Sequence, residues 1–142
     1  MADRKRLPKR RRGVTFSGCV GGHLVTVTTG EYEDGSLGEI FIDMHKEGAA
    51  FRSVMNCLAI AISLGLQHGV PLSLFVRRFT GVTFEPSGPV AGYDGMDKRK
   101  TRAKSVIDFV FRVIGEQYGC PAPVEQPIVS DDEDDDEEEA AE

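Results

Sequence analysis

Tryptophan is absent from this 142-residue chain, and cysteine and histidine occur only three times each. Cys19, Cys57 and Cys120 stand far apart in sequence, so they form neither a disulfide framework nor a dithiol pair, which predicts a reducing compartment. Cys19-x3-His23 is half of a metal-ligand pattern, but zinc takes four ligands and no others cluster with it, so no metal is expected. The longest apolar run, CLAIAISLGL from 57 to 66, is about half of what a bilayer-spanning helix needs. A basic start followed by Gly13 and Thr15 lacks the apolar stretch of a secretory signal. These absences predict a soluble, cytoplasmic protein. GCVGGH at 18–23 is glycine-rich but lacks the Lys-Ser/Thr of a phosphate loop and precedes a strand, so it reads as a flexible turn.

What the chain does have is charge, unevenly placed. Residues 1–12 carry seven Lys/Arg against Asp3 alone, and residues 131–142 carry ten Asp/Glu and no base. That leaves ten basic and twelve acidic residues between 13 and 130, so the net charge of −6 comes from the ends. Segments this polar bury too little apolar area to offset ordering entropy, which predicts a disordered basic arm over 1–12. A folded domain is expected over 13–120, followed over 121–142 by a proline-rich and then acidic disordered tail.

Between the ends, alternation in LVTVTT (24–29) and LGEIFIDM (37–44) predicts two half-buried strands. Asp34-Gly35 between them suits a two-residue hairpin turn. A helix follows from about Ala49 to Gln67, with Phe51, Met55, Leu58, Ile62 and Leu66 at helical spacing. It is apolar on nearly every side from Cys57 onward and reads as the central core helix. His68-Gly69 ends it and Pro71 opens a second helix, LSLFVRRF. Residues 81–95 form a Pro/Gly loop with a short strand at Val82–Phe84. A last amphipathic helix, about Thr101 to Tyr118, turns Val106, Phe109, Val110, Val113 and Ile114 inward. The fold class is α+β: a small antiparallel sheet packed on about three helices in one domain.

RKRLPKRRRG, the run from GEYEDGSLGEIFIDMHKEGAAFRS to HGVPL, FEPSGPV and AKSVIDFVFRVIG resemble the TSCPD domain, the C-terminal region of adenosylcobalamin-dependent (class II) ribonucleotide reductases. The resemblance spans about residues 4–118 and implies a part in reducing ribonucleoside to deoxyribonucleoside diphosphates for DNA synthesis. In the family, a large barrel, a radical cysteine, a reducing cysteine pair and phosphate-binding loops accompany this region, and none of these is in the chain. The family's closely spaced terminal cysteines are missing, Cys120 standing alone, and the Thr-Ser-Cys-Pro-Asp motif is replaced at a helix start reading RAKSVIDF. The resemblance therefore implies a module or accessory component that is not catalytic alone. Its partner would be a separate class II catalytic chain, which would supply the adenosylcobalamin.

Asp43, His45, Lys46 and Glu47 place four ionisable side chains on the strand-to-helix elbow, where a ligand or a partner's charged group could be held. The plainer alternative is a solvated turn with Glu47 helping to cap the helix. The arm offers a second, non-enzymatic role: binding nucleotide or DNA through its Lys/Arg. It carries no aromatic residue for base stacking, which favours a linker or docking arm.

Overall fold

The computed structural model describes residues 3–93 and 102–122. Five strands form one antiparallel sheet: β1 (Thr15–Val20), β2 (His23–Glu31), β3 (Leu37–Asp43), β4 (Gly88–Ala91) and β5 (Arg102–Ala103), in the order β3-β2-β1-β4-β5. Three helices, α1 (Ala49–Gln67), α2 (Leu72–Phe79) and α3 (Val106–Gln117), complete an α+β domain. The acidic run 131–142 lies outside the described residues.

The expected hairpin is β2-β3, and its connection is longer than two residues. Tyr32 N donates to Ser36 O at 2.9 Å and Gly35 takes φ 88°, so Glu33, Asp34 and Gly35 make the loop. Asp34 Oδ1 accepts from both Ser36 N and Ser36 Oγ, which holds the aspartate in place and lowers its carboxyl pKa. A register shift at Gly30/Glu31 absorbs the odd residue.

The GCVGGH reading needs correcting. Residues 18–20 close strand β1, and only Gly21-Gly22 turn, both with positive φ. Val20 pairs with His23 and Cys19 with Leu24, so alternation sends Cys19 and His23 to opposite faces of the sheet. The strand expected at Val82–Phe84 lies instead at Gly88–Ala91, and α3 begins at Val106 rather than near Thr101.

The inner face of the sheet collects Val20, Val25, Val27, Ile40, Ile42 and Met44, all almost fully buried. The central helix against it is α3, not α1. Nine of the twelve α3 residues are buried, and Phe109 meets Phe16 and Tyr93 edge-on at centroid distances of 6.0 and 5.6 Å. On the other side Phe111 packs on Phe79 of α2 at 5.2 Å.

α1 buries one stripe only, Met55, Ala59, Ile62 and Leu66, and lies along β3. There it covers an edge strand. Ser63 Oγ accepts from Ile40 N at 2.9 Å and donates to Ile40 O at 3.2 Å, and Gln67 Nε2 donates to Gly38 O at 3.0 Å. Outward-facing backbone groups of β3, an exposed pairing template otherwise, are thereby satisfied. By length and composition α1 also meets the test for a membrane span, with a mean hydropathy of 1.6, although its inner stripe is packed on the sheet.

Residues 3–12, expected as a disordered arm, run against the body. Lys5 N donates to Gln67 O at 2.7 Å, Arg4 Nε to Gln67 Oε1 at 2.6 Å and Arg11 Nε to Glu39 Oε2 at 2.6 Å. Leu7 packs on Gly38 so closely that a Cβ there would come within 2.7 Å of it. Lys5 Nζ stands 4.6 Å from the centre of the Tyr32 ring. Composition missed this docking because four interleaved groups (Arg4, Lys5, Leu7, Arg11) find specific partners that an average over the segment conceals.

Candidate partner-binding site

The elbow begins where Met44, 1 % exposed, pins the end of β3 into the core. Glu47 N donates to Met44 O at 2.8 Å, closing a turn that leaves His45 and Lys46 in solvent. Gly48 is the N-cap of α1 and no side chain caps it, so Glu47 does not take the capping role. Its carboxylate instead pairs with His23 Nδ1 at 2.7 Å, both groups partly buried. Asp43 and His45 make a looser contact of 3.9 Å, half in solvent. Lys46 makes no ion pair among the described residues.

The structure thus brings the four expected residues to one corner of the sheet and adds His23. That addition was legible in the register: Thr26 opposes Asp43, so three residues earlier on β2 His23 reaches the level of Lys46. The corner presents imidazole, carboxylate and ammonium groups side by side, a set able to donate and accept hydrogen bonds with a partner's polar surface. No group of three or more His, Cys, Asp or Glu suited to a metal occurs among the described residues.

At the opposite end of α1 lies an open cleft of about 730 Å³ between the arm, the hairpin loop and the last residues of α1 and α3. Two residues of its wall, Glu31 and Tyr118, belong to a hydrogen-bond network that reaches behind it to Thr29 and Val14. Val14 N donates to Thr29 Oγ1, Thr29 Oγ1 lies 2.7 Å from Tyr118 Oη, and Tyr118 donates to Glu31 Oε2 at 2.6 Å. Burial, reinforced by Glu31, pushes the Tyr118 phenol up to about 12. Burial also raises the Tyr32 phenol and the Cys120 thiol, which makes Cys120 a poorer nucleophile. A cleft of this size suits drug-sized ligands of roughly 300–1,000 Å³ pockets. The histidine on its wall, His68, has Nδ1 engaged with Leu64 O at 3.0 Å.

A third cluster escaped the sequence reading. Asp108 is 1 % exposed, and its Oδ1 accepts from Gly81 N at 2.6 Å and Arg112 Nε at 2.8 Å while Oδ2 accepts from Lys104 N at 2.9 Å. Ser105, the N-cap of α3, accepts from Asp108 N and donates to Val82 O at 2.7 Å. Ser-x-x-Asp before an apolar run is a capping signal, and would have placed the start of α3 correctly. In RAKSVIDF these two residues lock the start of α3 to the loop that carries Gly81 and Val82.

The TSCPD domain family model matches residues 2–118. Among similar proteins, a vitamin B12-dependent ribonucleotide reductase of Bradyrhizobium diazoefficiens is 55 % identical over 118 residues, 83 % of this chain and 9 % of the reductase. Proteins of the same name from Agrobacterium fabrum and Streptomyces avermitilis are 55 % and 45 % identical, covering 82 % and 77 % of the chain and 9 % and 11 % of those proteins. The chain therefore spans about a tenth of the length of these relatives. No solved structure matches it significantly.

Proposed function

The chain belongs to the TSCPD domain family, and from that premise we propose that it acts in class II ribonucleotide reduction as a module working with a separate catalytic chain. The observation carrying this reading is the 55 % identity over 118 residues to a small region of a vitamin B12-dependent reductase. In this role the module supplies association and positioning in the cytoplasm, and the catalytic chain supplies adenosylcobalamin and the reacting groups. The chain's own residues support that division. Cys19, Cys57 and Cys120 sit on β1, on the outside of α1 and beyond α3. All three are free thiols, and none is paired with another in a disulfide.

The contact proposed for the catalytic chain is the corner of Asp43, His45, Lys46 and Glu47 with His23. A pull-down from native lysate tests the reading: recovery of a reductase large chain is expected, and its loss on Lys46→Glu with Asp43→Lys would assign the contact to the corner. If no large chain is recovered with the wild type, the reading fails.

A second reading rests on the docked arm. Arg6, Lys9, Arg10 and Arg12 are exposed and make no ion pair among the described residues, so they form a fixed basic ridge suited to DNA or nucleotide phosphates. Polyanion affinity without any effect on a catalytic chain would favour it.

A further inference from the structure

We propose that the outer face of α1 binds a second copy of this chain, forming an antiparallel helix pair about a two-fold axis passing near Cys57. At 3.6 residues per turn, Cys57 lies opposite the buried stripe of Met55, Ala59, Ile62 and Leu66. Around it Ala50, Val54, Ile60, Ala61 and Leu64 are all exposed, with Val54 at 62 %, Ile60 at 51 % and Leu64 at 40 %. Scattered exposed apolar side chains are ordinary, but this strip is continuous along a helix about 28 Å long. Its spacing of 50, 54, 57, 61 and 64 alternates four and three, the seam of a paired helix.

Charge and shape select the occupant. Arg52 is the only charged residue of α1 and lies off the strip. An uncharged surface suits neither the basic arm nor the acidic 131–142 run, and it lacks the flanking Lys/Arg of a helix that rests on anionic lipid. A second copy meets no like-charge repulsion there. A two-fold axis at Cys57 also brings Leu64 onto Ala50 and sets the small Ser53 and Ala61 at one level, while Val54 lines one flank of the seam and Ile60 the other. Such a contact is isologous and closes on itself. α1 covers the edge of the sheet, so the strip lies at the side of the molecule where two domains can meet. A contact limited to one helix face falls under about 1,200 Å², the size class of weak, concentration-dependent association. The proposal stands independently of the reductase reading.

Sedimentation equilibrium of the full chain tests it, with short bismaleimide crosslinking of a Cys19→Ser, Cys120→Ser variant that keeps Cys57. Concentration-dependent dimers are expected, crosslinked through Cys57. Ile60→Glu or Val54→Glu should weaken association at least about 100-fold and abolish the crosslink, with circular dichroism unchanged. A monomer at all concentrations overturns the proposal, as does a dimer indifferent to both substitutions. A monomer whose Cys57 is shielded from alkylation only by the catalytic chain would overturn it in favour of a heterotypic contact.

Discussion

Replacing Asp108 by alanine should destabilise the domain more than almost any other single polar change. The carboxylate is buried and accepts three hydrogen bonds, from Gly81 N, Lys104 N and Arg112 Nε. Removing it strands two backbone N–H groups, each costing about 1–3 kcal/mol when buried and unpaired. Arg112 also loses its counter-charge in a largely buried setting, and breaking such pairs costs about 3–5 kcal/mol. These losses share one side chain and do not simply add, so about 3–5 kcal/mol is the expected total. Against a domain stability of about 0.05–0.15 kcal/mol per residue, that is a large fraction of the whole. Urea unfolding should show a lowered midpoint at unchanged m, and Tm should fall by roughly 10–25 °C. Ser105→Ala, which removes the cap and the bond to Val82 O, should cost about 1–2 kcal/mol. Asp43→Ala, at the exposed elbow, should stay within about 0.5 kcal/mol. If Asp108→Ala proved as mild as Asp43→Ala, the start of α3 would not be held as described.

Alkaline titration should expose Tyr118: its pKa is raised, so the neutral phenol stabilises the fold fully below about pH 10. That contribution is lost as pH rises towards about 12, and Tyr118→Phe should remove this component from the stability profile followed by absorbance and circular dichroism. Among the thiols, Cys57, exposed in the single chain, should alkylate before Cys120, whose pKa is raised by burial, in solutions dilute enough to leave α1 unpaired, as mass spectrometry of timed samples would show. Cys57→Ser should be nearly neutral in stability, and substituting all three cysteines should spare any partner-dependent activity. Removing 131–142 should strengthen heparin binding by the basic ridge, with log affinity against log salt approaching a slope of about −3 to −4 if all four free basic residues engage. No gain in affinity would mean that the tail does not compete for the ridge.

Local patterns placed the hairpin, α1 and α2 because each is written in short-range alternation or helical spacing with clear stops at Asp34-Gly35, His68-Gly69 and Pro71. The sequence was silent where tertiary partners decide. α1 and α3 are both apolar, and hydropathy alone does not say which one a single small sheet will bury on all sides. α3 occupies that place because Phe109 and Phe111 wedge between sheet and α2, whereas α1 is drawn to the edge by Ser63 and Gln67 satisfying β3. β1 was hidden by its glycine and serine, and the docking of the arm by its charge. At the elbow the four candidate residues come from one contiguous stretch, whereas His23, which pairs with Glu47, is distant in sequence and reaches them only through strand register.

The central claim is that this chain works by association with a catalytic chain and reduces nothing itself. Ribonucleotide reduction by a barrel-bearing class II chain that lacks this module, assayed with adenosylcobalamin and reductant while this chain is titrated in, tests it most directly. Activity should be absent with the isolated chain and should rise along a saturating binding curve as it is added to the catalytic chain. Nucleotide reduction by the contaminant-free chain alone, or a catalytic chain equally active with and without it, would contradict the account.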